Sequence, residues 1–93
     1  MDKLNKVRRI ARMNGLKGQI FMSDRENKKY KYIKENGDVV HFGDSRYEDF
    51  LDHRDPIRRN RFRQRFGRMK NLNGKRSIDK FESPAYLSYH LLW

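Results

Sequence analysis

Between Pro56 and Ile78 the chain carries nine basic side chains and no acid: Arg58, Arg59, Arg61, Arg63, Arg65, Arg68, Lys70, Lys75 and Arg76. Arginine dominates, and a guanidinium is a planar fork of N–H donors that meets phosphate or carboxylate bidentately. So many uncompensated charges on one short stretch repel one another, and a polyanionic or acidic partner relieves that cost. The plainer alternative is a solvated helix face, the commonest fate of a charge run. Bond-making chemistry has no comparable signal. Asp44, Glu48, Asp49 and Asp52 cluster upstream, yet His41, His53 and His90 are each solitary and there is no cysteine. A metal site would therefore lack its second group of ligands. No phosphate-cradling glycine loop, helical His pair with a glutamate or Ser/His/Asp grouping is present. The expectation is a non-enzymatic binding or assembly protein with no cofactor, no metal and no small-molecule substrate.

The whole composition agrees with a polyanion partner. There are 23 Lys+Arg against 12 Asp+Glu over 93 residues, a formal net charge of +11. That favours nucleic acid, an acidic protein face or an anionic membrane. Charged residues reach 38% and apolar ones only 35%, close to the balance of disordered chains, but 13% aromatic residues argue for a folded centre. One small domain is the expectation. Without cysteine a disulfide framework is excluded, and a reducing compartment suits the chain. No apolar run approaches the ~20 residues of a membrane span.

These side chains need elements to hold them. Asp55-Pro56 predicts a helix start, with Asp55 as N-cap and Pro56 in the first turn. Phe62, Phe66 and Met69 then fall at i, i+4 and i+7 as its apolar stripe. Upstream, Ser45-x-x-Glu48 reads as a capping box, opening a two-turn helix with Tyr47, Phe50 and Leu51 on one face. The acids there are expected to cap that helix and to pair with the downstream arginines. Residues 19–43 read as β. Asn36-Gly37 between KKYKYIK and DVVHF is a hairpin signal, and a two-residue type I′ turn would pair Ile33 with Val40 and Lys31 with Phe42. Tyr30, Tyr32 and His41 would then share the opposite face. Lysines interleaved with Tyr30 and Tyr32 make either a stacking and phosphate-contacting surface or merely a soluble sheet edge.

The ends are read as follows. Residues 1–18 form a basic arm or helix, with Lys3, Lys6, Arg8, Arg9 and Arg12 around an apolar line of Leu4, Val7 and Ala11, and Asn14-Gly15 as a stop. Docking by the apolar side, a binding arm and an organelle presequence are the alternatives there. Residues 67–82 read as a mobile loop within a single domain spanning 19–93. Ser83-Pro84 caps a last helix whose Tyr86, Leu87, Leu91, Leu92 and Trp93 form a hydrophobic anchor. So apolar a segment either folds back on the core or inserts into a neighbouring subunit, the second being favoured because the core is small. The fold class is α+β: a β-hairpin or three-stranded meander, then two or three short helices, with an extended basic N-terminal arm. Phe50, Phe62 and Phe66 are expected to share one core with Ile33 and Phe42.

Lys29-Tyr30 before the hairpin, Val40-His41-Phe42-Gly43, the block Tyr47-x-Asp49-Phe50-x-x-His53-Arg54-Asp55 with Arg58, Arg61-Phe62 and Arg65, and Leu91-Leu92-Trp93 resemble a family of small uncharacterised proteins encoded by nucleocytoplasmic large DNA viruses. The resemblance covers roughly residues 28–93 and departs at Phe66, where that family usually has histidine. It implies a viral protein, located in the virion or in the host cytoplasm or nucleus, with larger viral structural proteins as partners. It implies no activity. Two functions follow: a minor capsid or capsid-associated protein bridging larger subunits, or a sequence-nonspecific nucleic-acid-binding protein using the arginine-rich helix. The apolar C-terminus separates them and favours the first.

Overall fold

The computed structural model describes residues 2–70 and 74–93. Helix α1 (Lys3–Met13) leads into strands β1 (Gln19–Met22), β2 (Lys28–Ile33) and β3 (Val39–Asp44). Helices α2 (Phe50–His53) and α3 (Pro56–Arg68) follow, then a 3-10 turn at Ser77–Asp79 and α4 (Pro84–Leu87), which runs on as a π-helical segment, Ser88–Leu92. The strands form one antiparallel sheet in the order β1-β2-β3. Helix α1 lies against β1, and α4 with its π-helical extension lies against β3. The result is an α+β fold in two layers, with one face of the sheet covered.

Local chemistry explains these elements. Asp2 caps α1 by accepting from Asn5 N at 3.1 Å. The helix stops in a Schellman motif: Gly15 adopts φ 79°, its N–H donates to Arg12 O, and Leu16 N donates to Ala11 O. Val7 and Ala11 are buried, and Leu4 and Ile10 pack beside them. The basic N-terminus is therefore a docked helix and not an extended arm, because its apolar line finds the sheet.

The hairpin departs from the two-residue turn. Ile33 pairs with Val39, Tyr32 with Val40 and Tyr30 with Phe42. Only Gly37 in the connection has positive φ, at 92°, and its N–H donates to Lys34 O. Asn36 instead accepts from Asp38 N at 2.9 Å, so its side chain makes the turn and its backbone avoids the left-handed region. One residue of register turns every β2 side chain over relative to β3. Tyr30, Tyr32 and Phe42 are inside, with Ile20 from β1, while Lys31 and Ile33 face outward. Ile33 is thus no part of the core.

The core consists of Val7, Ala11, Leu16, Ile20, Tyr30, Tyr32, Phe42, Leu87, Leu91 and Leu92. Tyr32 is wholly buried, and its hydroxyl donates to Glu82 at 2.6 Å and accepts from Gly18 N. A Cβ on Gly18 would run into the Ile33 carbonyl and the Tyr32 ring, which is why glycine opens the sheet. Ser83 caps α4, accepting from Tyr86 N. The π-helical turn then brings Leu92 round to the same side as Leu87 and Leu91. The C-terminal segment therefore folds back onto its own core instead of offering its leucines to a neighbour. Residues 67–82 are not one loop either: Gly67 and Arg68 end α3, Lys70 bridges to Arg76, and Ile78 in the 3-10 turn is buried. Residues 71–73 of that stretch lie outside the described residues.

Candidate functional site

Helix α3 begins as its sequence dictates, with Asp55 accepting from Ile57 N at 2.9 Å and Pro56 behind it. It is reached through Arg54, whose positive φ of 55° closes α2 and whose N–H donates to Phe50 O. The preceding helix is one turn long and is capped by Asp49 with Asp52, not by Ser45 with Glu48. Two such boxes follow one another in sequence, at residues 45–48 and 49–52. Asp49 wins because it is the carboxylate that burial and two lysines select: it is 2% exposed, and Lys3 Nζ and Lys29 Nζ each approach its Oδ2 at 2.8 Å.

Asp52 joins that cluster, 2.8 Å from Lys3 and 3.4 Å from Lys29. Burial alone would raise its pKa, but hydrogen bonds from Lys3 and the Asp49 N–H, together with the charges of Lys3 and Lys29, outweigh burial and hold the carboxyl below the usual range. Lys3 is shifted upward: burial opposes its charge, and the hydrogen bonds to Asp49 and Asp52 prevail. Asp44 is gripped bidentately by Arg46, whose hydrogen bonds lower its pKa to about 2. The acids thus pair with Lys3, Lys29 and Arg46, all upstream of α3, and leave the α3 arginines alone.

Those arginines divide by helix face. Phe62 points inward, 9% exposed, stacked on Phe66 and on Trp93 with ring centroids 4.1 Å away in each case. It sits in this aromatic stack and not in the core around Phe42, and Phe50 is half-buried under the Arg59 guanidinium. On one flank Arg59 Nε and Arg63 Nη2 donate to the Trp93 carbonyl oxygen at 2.7 and 3.0 Å. Arg63 also lies over the Tyr89 ring. On the other flank Arg58, Arg61 and Arg65 are exposed. Arg58 and Arg61 make no side-chain hydrogen bond or ion pair with any described residue, and Arg65 only overlies Phe66.

Arg58, Arg61 and Arg65 form one wall of a cleft of about 640 Å³. Its floor is apolar, from Phe42, Phe62, Phe66, Leu92 and Trp93. A second wall comes from Lys28, Lys29, Gly43, Asp44 and the turn Tyr47–Asp49, which also line the cleft. Gly43 has φ 79°, and a Cβ there would press on Leu92, so glycine keeps this side open. Tyr47 is 67% exposed, with Arg46 near its ring, and Glu48 is exposed without a partner among the described residues.

The remaining basic residues lie elsewhere. Arg68, Lys70 and Lys75 are exposed beyond the cleft, and Arg76 is spent on Asp79 at 2.8 Å. In α1, Lys3 is structural and Arg8 Nε donates to Ile20 O at 2.9 Å, while Arg9 and Arg12 are exposed. No α1 residue lines the cleft, so the two basic segments do not share one site. Leu87, Leu91 and Leu92 are core; Tyr86 and Trp93 are half-buried. Lys28, Tyr47 and Glu48 escape sequence reasoning as cleft residues, because nothing local to them marks a wall completed by α3. Among the described residues there is no group of three or more His, Asp or Glu able to hold a metal, and no helix long and apolar enough to cross a membrane.

The model of a family of unknown function, DUF5754, matches residues 18–66, more than half of the chain. The chain belongs to that family. The DUF5754 match runs from the glycine that opens the sheet to the phenylalanine that ends the aromatic stack on α3. Both cleft walls fall inside it, while the α4 side, with Leu92 and Trp93, falls outside. No curated protein and no solved structure matches the chain.

Proposed function

We propose that this protein binds nucleic acid without reading sequence, gripping phosphates with Arg58, Arg61 and Arg65. The observation that carries it is the division of the arginines: Arg59 and Arg63 donate inward to the Trp93 main-chain oxygen, whereas Arg58, Arg61 and Arg65 make no side-chain hydrogen bond or ion pair with any described residue. Spacings of three and four residues place the three guanidiniums along one side of α3. Each phosphate they neutralise releases counterions, so affinity should fall steeply with salt. The support for an assembly role drawn from the C-terminus lapses, since its leucines are core. Titrating a fluorescein-labelled oligonucleotide of mixed sequence at several salt concentrations tests the binding reading. Salt-dependent binding that is indifferent to sequence is expected; a preference for one sequence at fixed salt would overturn it.

A minor structural role in a large DNA virus particle keeps one specific support, the exposed Phe21 and Val39 on the open face of the sheet. Quantitative mass spectrometry of purified particles tests it: a fixed copy number per capsid repeat is the outcome that role requires.

A further inference from the structure

We infer that the cleft takes a single strand and not a duplex, with one unpaired base entering between Tyr47 and α3. The inference rests on the nucleic-acid reading above and adds the class of nucleic acid. Three observations carry it. The arginines stand on the wall of a recess with an aromatic floor, not on a convex ridge. A duplex can offer that recess only its backbone at the rim, whereas a single strand can lower a base into it. Second, Tyr47 is a large aromatic ring that lines the cleft and is left 67% exposed. Its neighbour Arg46 is itself fixed by two hydrogen bonds to Asp44, so the ring is held ready at the cleft without contributing to the core. Such a ring is a stacking platform for any base, because every base has a π-face.

Third, the walls differ in charge: the α3 wall carries three arginines and no acid, whereas the other mixes Lys28 and Lys29 with Asp44, Glu48 and Asp49. Glu48 beside Tyr47 is an exposed carboxylate with no partner among the described residues, and it repels phosphate from that side. The backbone is thereby steered along Arg58, Arg61 and Arg65, and the base points to Tyr47. Charge alone would also admit an acidic polypeptide. The exposed aromatic and the apolar floor favour a ligand with flat apolar faces between its charges, which a single strand has and polyglutamate lacks.

The test measures anisotropy of a labelled mixed-sequence 12-mer, single-stranded and annealed to its complement, with wild type, Tyr47→Ala and Ile57→Ala. Ile57 is an exposed α3 residue outside the cleft and serves as the control. The single strand is expected to bind at least about tenfold more tightly than the duplex. Tyr47→Ala should weaken single-strand binding roughly 5- to 100-fold, the range for losing one stacking aromatic, and bring the ratio of the two toward one. Trp93, the one tryptophan in the chain and part of the cleft floor, should change its emission on binding the single strand. Circular dichroism checks that Tyr47→Ala remains folded, as its exposure implies. Equal binding of both forms, unmoved by Tyr47→Ala, overturns the inference and leaves the nucleic-acid reading standing. Displacement by polyglutamate at equal charge as readily as by the oligonucleotide overturns it in favour of an acidic protein. Binding of neither form removes both.

Discussion

Phe62→Ala is the substitution whose effect is best defined by this structure. Phe62 is the middle ring of three, 9% exposed, stacked on Phe66 and nearly parallel to Trp93 at an interplanar angle of 6°. Truncating a buried phenylalanine costs about 3–5 kcal/mol through lost transfer energy and an unfilled cavity. Because the stack borders the cleft, the outer rings have room to relax, which puts the expectation near 3 kcal/mol. A domain of 93 residues has a total stability of roughly 5–14 kcal/mol. With about 4–8 °C per kcal/mol at this size, the thermal midpoint should fall by roughly 12–24 °C. The same truncation strips Trp93 of its stacking partner, so its emission in the folded state should change as well. Differential scanning calorimetry and tryptophan fluorescence read the two effects independently. A midpoint within about 4 °C of wild type, with unchanged Trp93 emission, would refute the stack as the seat of α3.

Asp49→Asn should lower the urea midpoint by an amount equivalent to about 1–3 kcal/mol, since Lys3 and Lys29 lose their buried partner and keep only the more exposed Asp52; an unchanged midpoint would show that the Asp49 pairs contribute nothing net. Tyr32 is pushed up to about 12, first by burial and then by its hydrogen bond to Glu82. A group whose folded pKa lies above its unfolded value of 10.0 stabilises fully below that value, so its contribution should disappear as pH climbs from 10 toward 12. Thermal midpoints across that window should fall for wild type and fall less for Tyr32→Phe; parallel curves would contradict the assignment.

Much of the architecture is legible residue by residue. Asp55-Pro56, Asn14-Gly15 and Ser83-Pro84 place helix ends by local hydrogen bonding alone, and they do so in the folded chain. The hairpin register was not legible for a physical reason. Asn36-Gly37 suits a type I′ turn, but Gly37 alone can supply the one positive φ that the observed turn needs. Both faces of Lys28–Ile33 carry apolar atoms, so only packing against α1 and α4 decides that Tyr30 and Tyr32 go inside. The cleft was half legible. The arginine run announced a polyanion surface, but α3 has arginine on every side, and which side is free depends on where Trp93 comes to rest. The lysine pairing of Asp49 joins three segments distant in sequence and leaves no local trace.

The central claim is that the cleft arginines, and not the overall charge of +11, hold the nucleic acid. Two triple variants separate these, each removing the same charge: Arg58, Arg61 and Arg65 to glutamine, and the exposed Arg9, Arg12 and Lys17 to glutamine. The measurement is the slope of log affinity against log salt for the single-stranded oligonucleotide. The cleft variant should lose about 2 from the magnitude of that slope, three phosphate contacts at about 0.7 each, together with most of its affinity, while the N-terminal variant keeps a slope close to wild type. Equal losses in the two variants would contradict the account and leave only diffuse electrostatic attraction.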